Sequence, residues 1–216
     1  MKLPGERVRD FVLTDEQEPR YLENAPQPLK DAVVTLLDEG LRVGELLRLE
    51  WRDLILESVS PMPNGCLHIR FGKSQNAKRM LPLTCRVQTI LGLRRPHSNR
   101  CPYVFTNETG DGPLSVYTLE DQHSRVRKEL GLDGCTIHSF RHTCATRLGE
   151  GGASAVEIMH YLGHGSLSVS QRYVHSTTKL VSQAVLALER RKVGQSPCKV
   201  PVVDAPPKQL VAVSDL

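Results

Sequence analysis

The sequence lacks several features that would assign it to common protein classes. No apolar stretch approaches the ~18–20 residues that a membrane-spanning helix needs, and the opening MKLPGERVRD has no apolar signal-peptide core. None of the six cysteines forms a C-x-x-C pair, so their spacing does not indicate a zinc ribbon, and reduced thiols are the simplest account. We therefore expect a cytoplasmic protein.

Acidic residues are missing from a long internal stretch, between Glu57 and Glu108. The same stretch carries the basic residues Arg70, Lys73, Lys78, Arg79, Arg86, Arg94, Arg95 and Arg100. The net charge of +4 is only mildly basic, so the clustering is more informative than the total. Such a stretch is typical of a surface that contacts a polyanion, although a solvated basic face gives the same pattern.

The length of 216 residues suits one domain with tails. We expect an entry segment over residues 1–13, a folded domain over 14–192 and a flexible tail over 193–216. Helical periodicity dominates the middle part. The window over residues 65–84 differs, because two short, partly alternating segments flank a turn-rich SQNA, which predicts a small β-hairpin. The fold class is therefore α+β and mostly α-helical.

Helix signals near the start of the domain allow more detailed predictions. Thr14 and Gln17 form a capping-box pattern, and Pro19 should keep the helical turn that follows short. Pro28 and the glycine at position 40 bracket an apolar helix. A further helix is predicted from about residue 43 into residue 51.

The segment TIHSFRHTCATRL, which begins at residue 136, combines an apolar stripe with polar groups. Ile137, Phe140, Cys144 and Leu148 fall on one helical face, and His138 and Arg141 on the opposite one. The stripe should hold the helix against a core while His138 and Arg141 project together. Such a rigid pair is suited to a preorganised site.

Three further residues complete a set that can break a phosphodiester. Arg42 lies upstream in EGLRVGELL, and His164 and Tyr173 follow downstream in LGHGSLSVSQRYVH. Arginines can neutralise a phosphate with forked hydrogen bonds, and a tyrosine hydroxyl can attack it. Glu45, one helical turn after Arg42, could hold a neighbouring guanidinium. Lys73, near the predicted hairpin turn, could deliver a proton.

The motifs GLRVGEL, FGK, HSFRHTCATRL, YLGH and SQRYVH occur in this order. Together they resemble the tyrosine recombinases, the phage-integrase family, over most of residues 8–176. The resemblance implies the DNA breaking-rejoining catalytic fold with a small antiparallel sheet. Members usually carry an N-terminal helical domain that clamps DNA; this chain begins almost at the catalytic domain, so we expect that domain to be absent.

The resemblance also implies a site and a mechanism. The catalytic set would be Arg42, Lys73, His138, Arg141, His164 and Tyr173, supported by Glu45. Tyr173 would attack double-stranded DNA to leave a 3′-phosphotyrosine bond, with His138 as base and Lys73 as acid, and without metal or cofactor. Residues expected to contact DNA are Arg70, Lys78 and Arg79, and the last two compete with Lys73 for its role.

The resemblance further implies a homotetramer on two synapsed duplexes. Members exchange a C-terminal helix between neighbours, and residues 177–192 are the candidate segment here. A helix that packs within its own chain is an equally plausible interpretation of the apolar stripe in that segment.

Three other functions compete with recombination. A DNA-binding protein that no longer cuts would need only the basic stretch, and a type IB topoisomerase-like enzyme would use the same catalytic residues to relax DNA. A metal hydrolase could use the i,i+4 pairs His138–His142 and His160–His164 as zinc ligands. Neither pair has the glutamate base of an H-E-x-x-H motif, and Arg141 would place a positive charge beside the metal.

Overall fold

A helix at the centre of the fold is buried along most of its length. It is the second of eight α-helices in a computed structural model that describes residues 11–71, 78–95 and 101–173. The helices in those ranges are α1 (Gln17–Asn24), α2 (Leu29–Glu39), α3 (Val43–Leu47), α4 (Cys85–Arg94), α5 (Val116–Glu129), α6 (Ile137–Glu150), α7 (Ala155–Leu162) and α8 (Leu167–Gln171). The central helix α2 contacts α3, α4, α5 and α6, so it organises the core.

The first helix begins as predicted but runs longer. The backbone N–H of Thr14 donates to the Gln17 side chain at 3.1 Å, and the N–H of Gln17 donates to the Thr14 hydroxyl at 3.2 Å. Pro19 does not keep this helix short, because α1 continues for eight residues. Pro19 lies in the first turn, where the backbone N–H that proline lacks has no partner within the helix.

The prediction of one helix from residue 43 into residue 51 is wrong. Helix α3 ends at Leu47, and a separate 3-10 turn covers Trp51–Asp53. Between them the backbone pairs with a distant segment: Trp51 donates to the carbonyl of Pro102 and Val104 donates to that of Leu49, each at 2.9 Å. Tertiary hydrogen bonds replace helical ones here.

A three-stranded antiparallel sheet lies beside the helices. The predicted hairpin is confirmed in strands β2 (Cys66–Ile69) and β3 (Arg79–Pro82), which pair with Leu67 opposite Leu81. Strand β1 (Leu54–Ile55) was not predicted; it adds to the free edge of β2. Leu67 and Leu81 are buried and fix which face of the sheet meets the core.

An aromatic cluster fixes α6, which carries much of the site. The ring of Phe140 meets the rings of Tyr21 and His123 edge-on, at centroid distances of 5.3 and 5.5 Å. The Tyr21 hydroxyl and Nδ1 of His123 lie 2.6 Å apart, so the polar atoms within this cluster are paired. Burial of Phe140 thus sets the rotation of α6 about its own axis.

Gly40 allows three helices to approach one another closely. It ends α2 in the left-handed region, with φ 58°, and a Cβ atom there would lie 2.3 Å from Leu162 Cδ2 and 3.0 Å from Cys144 Sγ. Leu162 belongs to α7 and Cys144 to α6. A glycine at this position therefore sets the spacing at the point where α2, α6 and α7 meet.

Four expectations concern segments wholly or mostly outside the described residues: the entry segment over 1–13, the hairpin turn with Lys73, the helix over 177–192 and the tail over 193–216. Within the described ranges, no helix has both the length and the apolar composition needed to cross a membrane.

Candidate active site

Arg42 lies at the start of α3 and reaches two helices at once. One guanidinium nitrogen donates to Glu45 Oε1, and the other donates to the carbonyl oxygen of Gly163, each at 2.8 Å. The backbone N–H of Arg42 donates to the second oxygen of Glu45 at 2.9 Å. Gly163 ends α7 in the left-handed region. Its carbonyl oxygen has no partner inside the helix and accepts the hydrogen bond from Arg42 instead.

Glu45 holds not one guanidinium but two. The guanidinium of Arg79 donates to its two carboxylate oxygens at 3.2 and 3.1 Å, and the Arg79 Nε–H donates to the carbonyl of Tyr161 at 2.7 Å. Burial alone would raise the pKa of Glu45, but the hydrogen bonds and charges of Arg79 and Arg42 outweigh that effect and lower it. Glu45 thus contacts both Arg42 and Arg79, and its supporting role in catalysis stays a prediction.

Arg79, which was expected to contact DNA, has a largely buried side chain that is not exposed on the surface. Its side chain is 7% exposed and lies behind Glu45, on the first residue of β3. A contact between Arg79 and DNA stays a prediction, and the structure adds a second role, because this arginine ties the sheet to α3 and α7. The partner that defines this role, Glu45, lies 34 positions earlier in the sequence. A local sequence pattern does not reveal a pairing over that distance.

Arg141 is buried within the site. Its guanidinium donates to the carbonyl oxygen of Gly40, at the end of α2, and to that of Leu162 at 2.6 Å, at the end of α7. Burial, followed by the charge of Arg42, lowers the pKa of Arg141 to about 10, so the side chain stays cationic at neutral pH. The polar face of α6 is not uniform, because Arg141 and His142 are buried whereas His138 is exposed.

Two histidines lie within the positive field of these arginines. His164 follows Gly163 in the bend after α7, and its Nδ1 lies 2.8 Å from the hydroxyl of Ser170. Burial, followed by the charges of Arg141 and Arg42, lowers the pKa of His164 to about 4, so its ring is neutral at pH 7. The pKa of His138 is also lowered, by loss of water around its ring and then by the charges of His142 and Arg141.

Tyr173 lies directly beside these groups. Its hydroxyl is 2.6 Å from His142 Nδ1, and its ring is roughly parallel to that of His164, with centroids 6.5 Å apart. The guanidinium of Arg172 lies over the Tyr173 ring, 5.0 Å from its centroid. The structure therefore places the tyrosine hydroxyl beside His142 and the tyrosine ring beside His164 and Arg172.

Sequence reasoning missed His142 as part of the phosphodiester site. It was considered only as a zinc ligand paired with His138, whereas here its ring meets that of His138 edge-on, with centroids 4.9 Å apart. The available signal was its place in H-x-x-R-H, next to Arg141 and one turn after His138. Across the described ranges, no three histidine, cysteine, aspartate or glutamate residues are grouped as metal ligands would be.

The remaining predicted contacts lie toward the sheet. Arg70 is 27% exposed, pairs with Asp53 and lies over the ring of Phe71, 5.2 Å from its centroid. Lys78 is exposed and immediately precedes β3. Lys73 lies outside the described residues, so its assignment stays a prediction.

Comparison with known proteins agrees with this architecture. Residues 11–179 match the phage integrase family. The tyrosine recombinase XerC of Bradyrhizobium diazoefficiens is 36% identical over 79% of this chain and 53% of its own length. XerA of Pyrococcus furiosus is 31% identical over 80% of this chain and 60% of its own length. The chain thus spans little more than half the length of these relatives.

Solved structures show the same fold. The integrase of the Tn1549 transposon, in complex with circular intermediate DNA, superposes with a TM-score of 0.69 at 21% sequence identity. The superposition covers 86% of this chain and 69% of that one. Fold, site geometry and sequence similarity agree: the chain belongs to the phage integrase family, the tyrosine recombinases.

Proposed function

We propose that this chain cuts and rejoins double-stranded DNA as the catalytic part of a site-specific recombinase, through a covalent 3′-phosphotyrosine intermediate. The observation that carries the proposal is the placement of Tyr173: its hydroxyl contacts His142, and its ring lies beside His164, which is within the positive field of Arg141 and Arg42. The relatives named XerC and XerA are tyrosine recombinases, and the Tn1549 integrase was solved on DNA, which supports the same substrate class.

The arginines would neutralise the phosphate. Attack on a phosphodiester builds negative charge on the non-bridging oxygens, and Arg42 and Arg141 would stabilise it with charge-assisted hydrogen bonds. Both side chains are already oriented by backbone carbonyls of Gly163, Gly40 and Leu162, so little reorganisation is needed when DNA binds. These cations would take the part that divalent metal ions take in two-metal nucleases.

His164 would donate a hydrogen bond to the same phosphate. Its pKa of about 4 makes it a neutral donor at pH 7 and not a cation. When its Nδ1 accepts from the Ser170 hydroxyl, the ring carries its proton on Nε2, the nitrogen available for a phosphate oxygen.

Tyr173 would attack the phosphorus and displace the 5′ oxygen. An unperturbed tyrosine has a pKa of about 10, so the phenol must lose its proton as the new bond forms. The family resemblance assigns that proton to His138 and the protonation of the leaving oxygen to Lys73. The phosphotyrosine bond stores the energy of the broken phosphodiester, so religation needs no nucleotide.

Covalent trapping tests the proposal. The protein is mixed, in EDTA, with nicked suicide duplexes whose arms carry randomised sequence, quenched with SDS, and compared with Tyr173→Phe. We expect an SDS-stable adduct in the wild type that is absent in the variant, and peptide mass spectrometry should locate the nucleotide on Tyr173. An adduct of equal yield in Tyr173→Phe would refute this mechanism.

Two finer points are part of the same proposal. Sequencing the captured DNA would define the target site, and relaxation of supercoiled plasmid without strand exchange would indicate a topoisomerase-like activity. We expect four copies of the chain on two captured duplexes, as the family resemblance implies, which light scattering of the protein–DNA complex would measure.

A further inference from the structure

His142 contacts the reactive oxygen of the site directly. Its Nδ1 lies 2.6 Å from the Tyr173 hydroxyl. This distance falls within the range of about 2.6–3.2 Å from which a general base takes a proton. The side chain is 9% exposed and sits on α6 immediately after Arg141, whose guanidinium is fixed by two helix ends. The imidazole is therefore held by the same rigid helix that holds the phosphate-binding arginine.

Packing of the tyrosine explains why its hydroxyl meets His142. Tyr173 packs against a small cluster on α6 and α7, formed by Cys144, Ala145, Ile158 and Leu162. Its backbone carbonyl approaches α6 so closely that a Cβ at Gly149 would lie 1.9 Å from it. With the backbone near Gly149, two helical turns after His142, the ring extends back along the helix toward the imidazole.

His138 has a different relation to the tyrosine. It precedes His142 by one helical turn, and its ring meets the edge of the His142 ring at a centroid distance of 4.9 Å. His142 is thus within hydrogen-bond reach of the phenol and in ring contact with His138. A proton that leaves the phenol would reach His142 directly.

We propose that His142 is the catalytic residue that accepts the proton of Tyr173 during cleavage, in place of His138. This rests on the proposed function. The Oη–phosphorus bond forms as the phosphorus–O5′ bond breaks; the phenol proton moves to His142 Nδ1, and the leaving O5′ takes a proton from the acid, for which Lys73 is the candidate. On religation the same proton returns to the phenolate oxygen.

A matched set of variants separates proton transfer from placement. In His142→Asn, the amide oxygen takes the position of Nδ1 and still accepts a hydrogen bond, but it does not hold a proton at neutral pH. His142→Ala removes both properties. His160→Asn makes the same change on an exposed position of α7 and serves as the control.

The readout is the single-turnover rate of adduct formation on the captured duplex. We expect both His142 variants to be slower by about 100-fold or more, and His160→Asn to match the wild type. A wild-type rate in His142→Asn would overturn the proposal, because placement alone would then suffice. A faster rate in His142→Ala would also overturn it, because the contact would then hold the tyrosine in an idle position.

A measurement without DNA keeps this test independent of the proposed function. The ionisation of Tyr173 is read as the difference in ultraviolet absorbance between each protein and its own Tyr173→Phe version. We expect its pKa to shift in His142→Ala and not in His160→Asn, and an unchanged titration would overturn the contact itself. Failure of the wild type to form any adduct, with the shift present, would instead refute the recombinase function.

Discussion

The two halves of the site are built in different ways. The proposed phosphate-binding half is held largely by main-chain atoms, since Arg141 donates to carbonyls at the ends of α2 and α7, and Arg42 donates to a carbonyl at the end of α7 as well as to Glu45. The nucleophile half is held by side chains, since Tyr173 follows the five-residue helix α8 and contacts His142, His164 and Arg172. The first half lies at the ends of the core helices, and the second follows the short helix α8.

This difference indicates how the two halves should respond to change. A disturbance of the helix ends should cost stability and phosphate binding together. A disturbance around α8 should cost chemistry while the core stays folded. Three predictions follow from this contrast, and each can break it or sharpen it.

Gly40→Ala should have the largest effect. The methyl group meets Leu162 and Cys144 and the backbone stays in the left-handed region, so we expect a loss of about 3 kcal/mol in the free energy of unfolding. Gly131→Ala has a similar φ of 65° and no neighbour within 4 Å, so it should lose only about 1 kcal/mol. Urea unfolding measures both, and equal losses would mean that the helix junction tolerates the methyl group.

Gly149→Ala should affect chemistry without unfolding the domain. A Cβ there lies 1.9 Å from the carbonyl oxygen of Tyr173, so the tyrosine must move. We expect adduct formation to fall by about 100-fold, the effect that a 1 Å misplacement can have. Alanine favours the helix by about 1 kcal/mol, so unfolding should not become easier.

Gly92→Ala is the matched control for this change, because it also lies inside a helix and has nothing within 4 Å. It should keep the wild-type rate of adduct formation. If Gly149→Ala lowered stability as much as Gly40→Ala, the proposed independence of the two halves would be wrong.

The smallest predicted effect is on how the free energy of unfolding changes with pH. Two buried groups, His164 and Glu39, should change it in opposite directions. His164 has a pKa of about 4 against an ordinary 6.5, so between these values the unfolded chain binds a proton that the folded one does not. Its contribution to stability is therefore lost as the pH falls from about 6.5 to 4. Glu39, whose pKa burial raises to about 7 from 4.5, loses its contribution as the pH rises through that range.

Thermal and urea unfolding at pH 4.5 and 6.5 would measure both. His164→Asn should remove about 1 to 2 kcal/mol of the loss on acidification, and Glu39→Gln should remove a change of similar size and opposite sign. Equal slopes in all three proteins would mean that burial and the neighbouring charges do not shift the pKa of His164 and Glu39 in these directions.

Local patterns in the sequence predicted the start of α1, the extent of α2, the helix α6 and the hairpin. The capping pair at Thr14 and Gln17 and the glycine that ends α2 are local signals, and the structure shows both. The errors come from distant contacts: the segment between Leu47 and Trp51 pairs with residues near 103. Strand β1 has only two residues, which is too short for an alternating pattern.

The site was predictable as a set of residue types but not as a set of contacts. The order of arginines, histidines and tyrosine identified Arg141, His164 and Tyr173, which the structure brings together. Their anchoring by main-chain carbonyls leaves no trace in the identity of any side chain. The pairing of Arg79 with Glu45 and of His142 with Tyr173 depends on how elements cross, which only the fold defines.

The hydrogen bonds of Arg42 and Arg141 to carbonyl oxygens affect which substitutions the sequence can accept during evolution. Every amino acid supplies the same carbonyl, so a substitution at Leu162 or Gly163 that preserves the course of the backbone leaves the acceptor in place. The contact of Arg42 with Glu45 is different, because loss of that carboxylate would need a compensating replacement elsewhere. The positions of these arginines therefore depend more on the path of the backbone than on the identity of the side chains at Leu162 and Gly163.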